Sequence, residues 1–354
     1  MDNHLVPKRI FRIAQWAAGT VGCSAMRAVI RHPDMELVAL KVSSESKVGS
    51  DAGELAGLSP IGVLATRDIK DIIAQAPDCV LYMQEGFDID DMCKILSVGI
   101  DIVTTRSEFF YAKKMLPAHR HALESACRKG ESSLFATGSS PGFSTVVLPL
   151  AMLYMSRRLD CLTIDEFADI PSACSLQMII DVMGYGQPPL PERVSKPMLD
   201  HMSEGFAQSL SVVADNCGIT LDEFQSKGEV ALANSAIPLW DDVVIEKGTV
   251  AGLRITVAGM KDGKPVLQFR ANWHCSKDLD QDWELSDNGW RVTLEGDAPM
   301  KVDITYPKST TESHHDQMAG LTAHPAVNAI PFVCDAPPGI LNNLDMAPIL
   351  PRLV

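Results

Sequence analysis

With 354 residues, 46% of them hydrophobic and 21% charged, the chain is long enough for two domains and apolar enough to bury a sizeable core. A net charge of −14 and a pI near 5.0 argue against a nucleic-acid polyanion as partner, and no run of about 18 apolar residues offers a membrane span. The nine cysteines are scattered without a C-x-x-C pair, and residues 1–16 do not read as a cleavable leader, so reduced thiols in a cytoplasmic protein are expected.

The first strong signal is the stretch 10–33. Apolar residues crowd Ile10, Phe11, Ile13, Ala14 and Trp16, as in a buried strand. Small residues follow from Ala17 to Gly22, and then a helical pattern through Met26, Val29 and Ile30. Strand, small-residue turn and helix in that order open a dinucleotide-binding βαβ unit. Ala17, Gly19, Thr20, Val21 and Gly22 are therefore candidate cofactor-binding residues. Gly19 lets the backbone approach a pyrophosphate, Gly22 lets helix and strand pack closely, and the free N–H groups of the helix start bind the phosphates. Ala17 stands where the fingerprint has its first glycine, and alanine makes that turn only with a negative φ. An ordinary glycine-rich βα turn is the alternative.

A second strand over 36–42 leads to the window where NAD sites carry an acid. Here it holds Ser43 and Ser44, with Lys47 close behind. Hydroxyls and a lysine suit a 2′-phosphate, which a carboxylate would repel. NADP is the expected cofactor, with NAD as the alternative. A short strand over 61–64, a helix over 69–75 capped by Asp68, and a strand over 79–83 come next. A helix over 88–98 ends at Gly99, a strand covers 101–105, a helix over 117–129 is stopped by Gly130, and a strand covers 133–136. This alternation is the α/β class: an N-terminal Rossmann, doubly wound parallel sheet over residues 1–140.

The small-residue break at 137–142 is the best domain boundary. Residues 141–354 read as an α+β second domain with a mixed or antiparallel sheet, its C-terminal segment packing back on the first domain. Its elements are an apolar helix over 143–156, a strand over 161–168 and a long helix over 194–216. A capping box from Thr220 to Glu223 opens a short helix. β-rich segments follow at 243–258, 265–275, 290–295 and 300–306, with a hairpin turn at Asp262 and Gly263. A helix covers 317–330, with Pro325 at a kink or a helix start.

Ligands of open α/β sheets sit at the carboxyl ends of the strands. That rule selects residues 17–22, 84–86 and 106–111, and makes Gln84 a cofactor candidate. Glu108 lies in the third loop beside Phe109, Phe110 and Tyr111, an apolar setting that strengthens a carboxylate's attraction to a cation. The histidines give no metal signal. His119 and His121 face different sides of a helix, and His314 adjoins His315 in a polar loop. His274 lies in an apolar strand, either as a core or interface histidine or lining a substrate cleft. Residues 138–142 match G-x-S-x-G around Ser140, but the next residue, Pro141, has no N–H for an oxyanion hole, which argues against a serine hydrolase.

Taken in order, the segments 16–22, 47–54, 104–108, 137–143 and 326–331 resemble the dihydrodipicolinate-reductase-like NAD(P)-dependent dehydrogenases. Within them the chain is most similar to the native amine dehydrogenases and 2,4-diaminopentanoate dehydrogenase, over residues 10–339. The resemblance implies reversible reductive amination of a ketone or aldehyde with ammonia, with Glu108 as the catalytic carboxylate. It implies a homodimer formed through the second domain, and it adds Asn328 to the cofactor contacts. Phe143, Asp169 and Ala173, together with His274, are the expected substrate-pocket residues. The paired histidines and lysine of dihydrodipicolinate reductase itself are not found between residues 167 and 186, which counts against the lysine-pathway reaction. Small side chains at 171–174 imply a larger pocket. The alternatives are a reductase of cyclic imines or unsaturated carbonyls working without ammonia, and a non-catalytic NADPH-binding sensor.

Overall fold

The computed structural model describes residues 9–173, 176–189, 194, 196–240, 243–307, 309–310, 313–343 and 345. Contacts divide the chain into two compact units, residues 1–140 with 316–354, and residues 141–315.

In the first unit, strands β1 (Phe11–Trp16), β2 (Met35–Lys41), β3 (Ala65–Thr66), β4 (Cys79–Tyr82), β5 (Asp101–Thr104) and β6 (Ser133–Ala136) alternate with helices. The helices are α1 (Thr20–Arg31), α2 (Ala52–Leu55), α3 (Ile69–Ala74), α4 (Ile89–Leu96) and α5 (Pro117–Gly130). The second unit carries α6 (Leu148–Leu153), β7 (Leu159–Asp169), α7 (Ile170–Ala173), α8 (Lys196–Asn216), β8 (Glu223–Leu232), β9 (Ile237–Trp240) and β10 (Val243–Ile245). It continues with β11 (Val250–Lys261), β12 (Lys264–His274), β13 (Gly289–Gly296) and β14 (Met300–Thr305). Helix α9 (His314–Cys334) and strand β15 (Gly339–Leu341) follow.

The first sheet runs β15-β6-β5-β4-β1-β2-β3, and every pairing in it is parallel. All four residues of β4 are buried, as a strand covered on both faces requires. Ile13, Leu81, Val103 and Phe135 from the strands share one core with Met26 and Val29 of α1 and with Val327, Ile330 and Val333 of α9. The chain moves outward from β1 to β3, then returns to β4 and moves outward the other way. The crevice between the carboxyl ends of β1 and β4 is therefore the topological switch point, where such sheets bind ligands.

Several local expectations hold. Asp68 caps α3 through the amide of Lys70, and Gly99 follows α4 at φ 86°; the structure adds Asp88 as the cap of α4, through the amide of Asp91. Others change. The strand expected at 61–64 is displaced to Ala65–Thr66, because Gly62 at φ 82° interrupts extended backbone. At the end of α5 the left-handed residue is Glu131 (φ 54°), with Gly130 still in the helix. Gly130 is needed for close approach: a Cβ there would lie 1.9 Å from the Leu96 carbonyl oxygen.

The second unit's six-stranded sheet runs β14-β13-β7-β12-β11-β8, mixed because β7 and β12 are parallel among antiparallel neighbours. Helix α8 covers one face, where Phe206 stacks on Phe269 of β12 at 3.6 Å between ring centroids. The β11–β12 hairpin turns at Asp262 (φ 51°) and Gly263 (φ 71°), as its sequence requires. The capping box at 220–223 opens no helix. Glu223–Leu232 is strand β8, paired with β11 along its length, so tertiary pairing overrides the local signal. The apolar helix expected at 143–156 is a π-helical stretch, Ser139–Val147, followed by the short α6 with Pro149 in its first turn. Helix α9 runs through both Pro325 and Pro331. An interior proline costs about 3 kcal/mol, and burial of Ala323, Ala326, Val327, Ala329, Ile330 and Val333 in the first unit's core offsets it.

Candidate functional site

The turn between β1 and α1 is built for close approach. A Cβ on Gly22 would lie 2.2 Å from the Ala17 carbonyl oxygen, so only glycine lets α1 start this near β1. Gly19 is the N-cap of α1 and brings no side chain to the first N–H groups. Helix N-termini of this kind attract phosphate. Thr20, Val21 and Gly22 form the first turn of α1. The expectation for Ala17 is corrected: its φ is +83°, the left-handed conformation that glycine normally supplies.

Lys47 donates to the Ala18 carbonyl at 2.7 Å, so it sits over the turn itself. Ser43 and Ser44 lie exposed just beyond β2, and Ser44 Oγ is 2.7 Å from Ser46 Oγ. Glu45 is engaged by Arg67, a cation that sequence reading passed over although it directly follows β3. Lys41, the last residue of β2, places its ammonium 4.2 Å from the Trp16 ring centroid. Burial there pulls the Lys41 ammonium below its ordinary value.

At the switch point Trp16 and Tyr82 stack at 5.3 Å. Gln84 bridges them, accepting from Trp16 Nε1 at 2.8 Å and donating to Tyr82 Oη at 2.7 Å. Burial pushes the Tyr82 phenol up to about 12, so it stays protonated at neutral pH. Asn328 is half-buried on α9.

Glu108 lies in a single helical turn, Ser107–Phe109, just beyond β5. The loop is tied down at both ends. Arg106 N donates to Thr104 Oγ1, which itself donates to the Tyr82 carbonyl at 2.6 Å. Phe109, Phe110 and Tyr111 are buried, and Phe87 meets Phe109 edge-on at 5.0 Å. The Glu108 side chain is 28% exposed, and Arg106 Nη2 donates to its Oε1 at 2.5 Å. The other oxygen, Oε2, is buried with no hydrogen-bond partner, as is Arg106 Nε. The sequence pointed to Glu108 by position but missed Arg106, whose signal was its place two residues away on the same loop.

In the second unit, β7 and β12 bring Asp169 and His274 into register as neighbours. The Asp169 amide donates to Asn288 Oδ1 at 2.7 Å. His274 is 3% exposed, and its Nε2 lies 3.0 Å from the Ser286 carbonyl, which requires a proton on that nitrogen. Burial pulls the imidazole below its ordinary value, so it is neutral at pH 7, and its Nδ1 is buried without a partner. Phe143 is 39% exposed and lies 6.0 Å from Trp290, which meets Tyr306 edge-on at 5.1 Å. Trp290 Nε1 donates to Glu166 Oε2 at 3.3 Å. Trp290, Tyr306 and Glu166 had no sequence signal beyond strand membership. The side chain of Ala173 lies outside the described residues. Among the described residues no group of three His, Cys, Asp or Glu side chains is placed to hold a metal ion, and no helix is long and apolar enough to cross a membrane.

A family model of the dihydrodipicolinate reductase N-terminus matches residues 16–83, and one of the 2,4-diaminopentanoate dehydrogenase C-terminal domain matches residues 196–352. The chain is 28% identical over 353 residues, 96% of each protein, to an amine dehydrogenase of Streptomyces virginiae. It is 29% identical over 154 residues to a 4-hydroxy-tetrahydrodipicolinate reductase of Methylococcus capsulatus, covering 43% of this chain and 52% of the reductase. Among solved structures, an amine dehydrogenase from Mycobacterium smegmatis has the same fold, with a TM-score of 0.73 at 17% identity over 97% of each chain. Matches in both halves of the sequence, and likeness along nearly all of it, make this chain an oxidoreductase that is similar to dihydrodipicolinate reductase in its N-terminal part and to the amine dehydrogenases over almost its whole length.

Proposed function

We propose that the chain is an NAD(P)H-dependent amine dehydrogenase, interconverting a ketone or aldehyde plus ammonia with an amine. The observation that carries this reading is Glu108, with one oxygen held by Arg106 and the other buried without a partner. A carboxylate fixed in this way offers a ready acceptor to an ammonium or iminium nitrogen, and opposite charges attract more strongly away from water.

The turn fits a dinucleotide because it combines a close-packed Gly22 with a helix N-terminus that has no side-chain cap. The residues that would hold it are Ala17 to Gly22, Gln84, Asn328, Lys47, Ser43 and Ser44. The last three, with Arg67, favour a 2′-phosphate, so NADPH is the preferred form. When bound, the nicotinamide supplies a hydride to the substrate carbon. Glu108 takes a proton from ammonium, freeing ammonia to attack the carbonyl. It then returns that proton to the departing hydroxyl, so that water leaves and a substrate iminium remains beside the carboxylate. Phe143, Asp169 and His274 are the substrate-binding residues this reading assigns to the second unit. The eight described cysteines are all free thiols, in keeping with a cytoplasmic setting, and by its resemblance the protein works as a homodimer.

The test is Glu108→Gln, which keeps the shape and removes the charge. Ammonium-dependent NADPH oxidation over a panel of ketones and aldehydes is expected to fall by about 10²–10³-fold. Fluorescence titration with NADPH and NADH is expected to show that nucleotide still binds, NADPH the more tightly. Undiminished turnover would remove Glu108 from the chemistry. Turnover by the unaltered chain without ammonium would favour a reductase of preformed imines or carbonyls, and binding without any turnover would favour a sensor.

A further inference from the structure

Gln15 is a polar residue in the middle of an apolar strand, and it is fully buried. Its Nε2 donates to the Ala17 carbonyl at 3.0 Å and lies 3.4 Å from the Trp16 carbonyl. Its Oε1 is buried with no partner at all. Leaving such an acceptor unpaired is costly, so the side chain is not there for general stability. Ala17 is held at both ends: its N–H donates to the Lys41 carbonyl at 2.8 Å, and its carbonyl receives the Gln15 amide. Between these anchors Ala17 adopts φ +83°. That carbonyl is the atom nearest to a Cβ built on Gly22, and Gln15 Nε2 is the next nearest at 3.0 Å. The same carboxamide therefore bonds to the strained residue and occupies the space that a side chain on Gly22, in the first turn of α1, would need.

We propose that Gln15 is a positioning residue for the dinucleotide turn, holding the Ala17 carbonyl so that an alanine keeps the left-handed conformation this turn requires. The role rests on the dinucleotide reading above. Glycine needs no such restraint because it enters positive φ without a steric cost, whereas an L-residue is strained there. The chain has alanine where the dinucleotide fingerprint has a glycine, and it carries a buried amide one strand position before Trp16 that restrains this alanine.

The test is a double-variant cycle read by NADPH and NADH fluorescence titration, with thermal melting alongside. Gln15→Met keeps the volume and removes the donor, and nucleotide binding is expected to weaken roughly tenfold. Adding Ala17→Gly is expected to return binding to within about threefold of the unaltered chain, since glycine holds the conformation unaided. A side chain that merely filled the core would give no such rescue, so a double variant binding as weakly as Gln15→Met overturns the proposal. Unweakened binding by Gln15→Met overturns it too. If Gln15→Met alone does not fold, the double variant carries the test. Recovery of folded, nucleotide-binding protein supports the role, and no recovery overturns it. Failure of the unaltered chain to bind either nucleotide is a different result, which overturns the dinucleotide reading and the positioning role with it.

Discussion

Asp101, at the start of β5, accepts the Ser133 amide at 2.6 Å from a half-buried position. Burial is the main cause that raises its carboxyl to about 6, against an ordinary 3.8, with the Ser133 N–H pulling the other way. The folded form thus holds a proton that the unfolded chain has released between about pH 4 and 6, and stability falls as pH rises through that window. Asp101→Asn keeps the acceptor and removes the charge. It is expected to stabilise the protein by up to about 3 kcal/mol above pH 6, the gain vanishing below about pH 4. Urea unfolding at both ends of the window checks this. Asp51 behaves oppositely. Burial raises its carboxyl, but the amides of Ile61, Gly62, Gly53 and Glu54 outweigh that and hold it below its ordinary value. This explains the acid in the 47–54 motif as the staple of its loop.

Among elements, α5 shows two backbone demands met by adjacent residues. Its carboxyl end abuts α4 so tightly that Gly130 has no room for a side chain, and the left-handed cap then falls on Glu131. Glycine suits such a cap better than any residue with a Cβ. Glu131→Gly is therefore expected to raise stability by about 1 kcal/mol, and an unchanged or lower urea midpoint would count against it. Sequence reading placed the helix stop correctly but credited the wrong residue, because the Leu96 carbonyl that demands Gly130 comes from another helix. The capping-box signal at 220–223 failed for a related reason: the partner strand β11 supplies hydrogen bonds that a local motif cannot foresee.

For the molecule as a whole, the family resemblance leads to assembly as well as chemistry. A homodimer is expected to sediment at twice the 38.4 kDa of one chain, and a monomer mass across the micromolar range would discard that part of the reading. Within the second unit, the sheet face opposite the α8 contact carries an ion pair in which Asp165 is buried and Arg270 is 34% exposed. Asp165 is bound bidentately by Arg270, at 2.7 and 2.5 Å, and also accepts from Asn272. Removing Arg270 alone would leave the buried Asp165 carboxylate without its cation, which is destabilising.

The sequence alone was enough for the alternation of strands and helices, the parallel first sheet, the glycine turn and the position of Glu108. Each follows from short-range rules: hydrophobic period, turn chemistry, and the placing of ligand loops at strand ends. Tertiary structure decided the rest. The bond from Gln15 to the Ala17 carbonyl spans only two residues, but the burial of Gln15 and the positive φ of Ala17 are set only in the folded chain. The meeting of Lys47 with the Ala18 carbonyl and the pairing of His274 with Asp169 join residues far apart in the chain. The survival of α9 through two prolines depends on a core assembled from seven parallel strands. Burial and pairing at that range have no local signature, because their energies belong to contacts that exist only once the chain has folded.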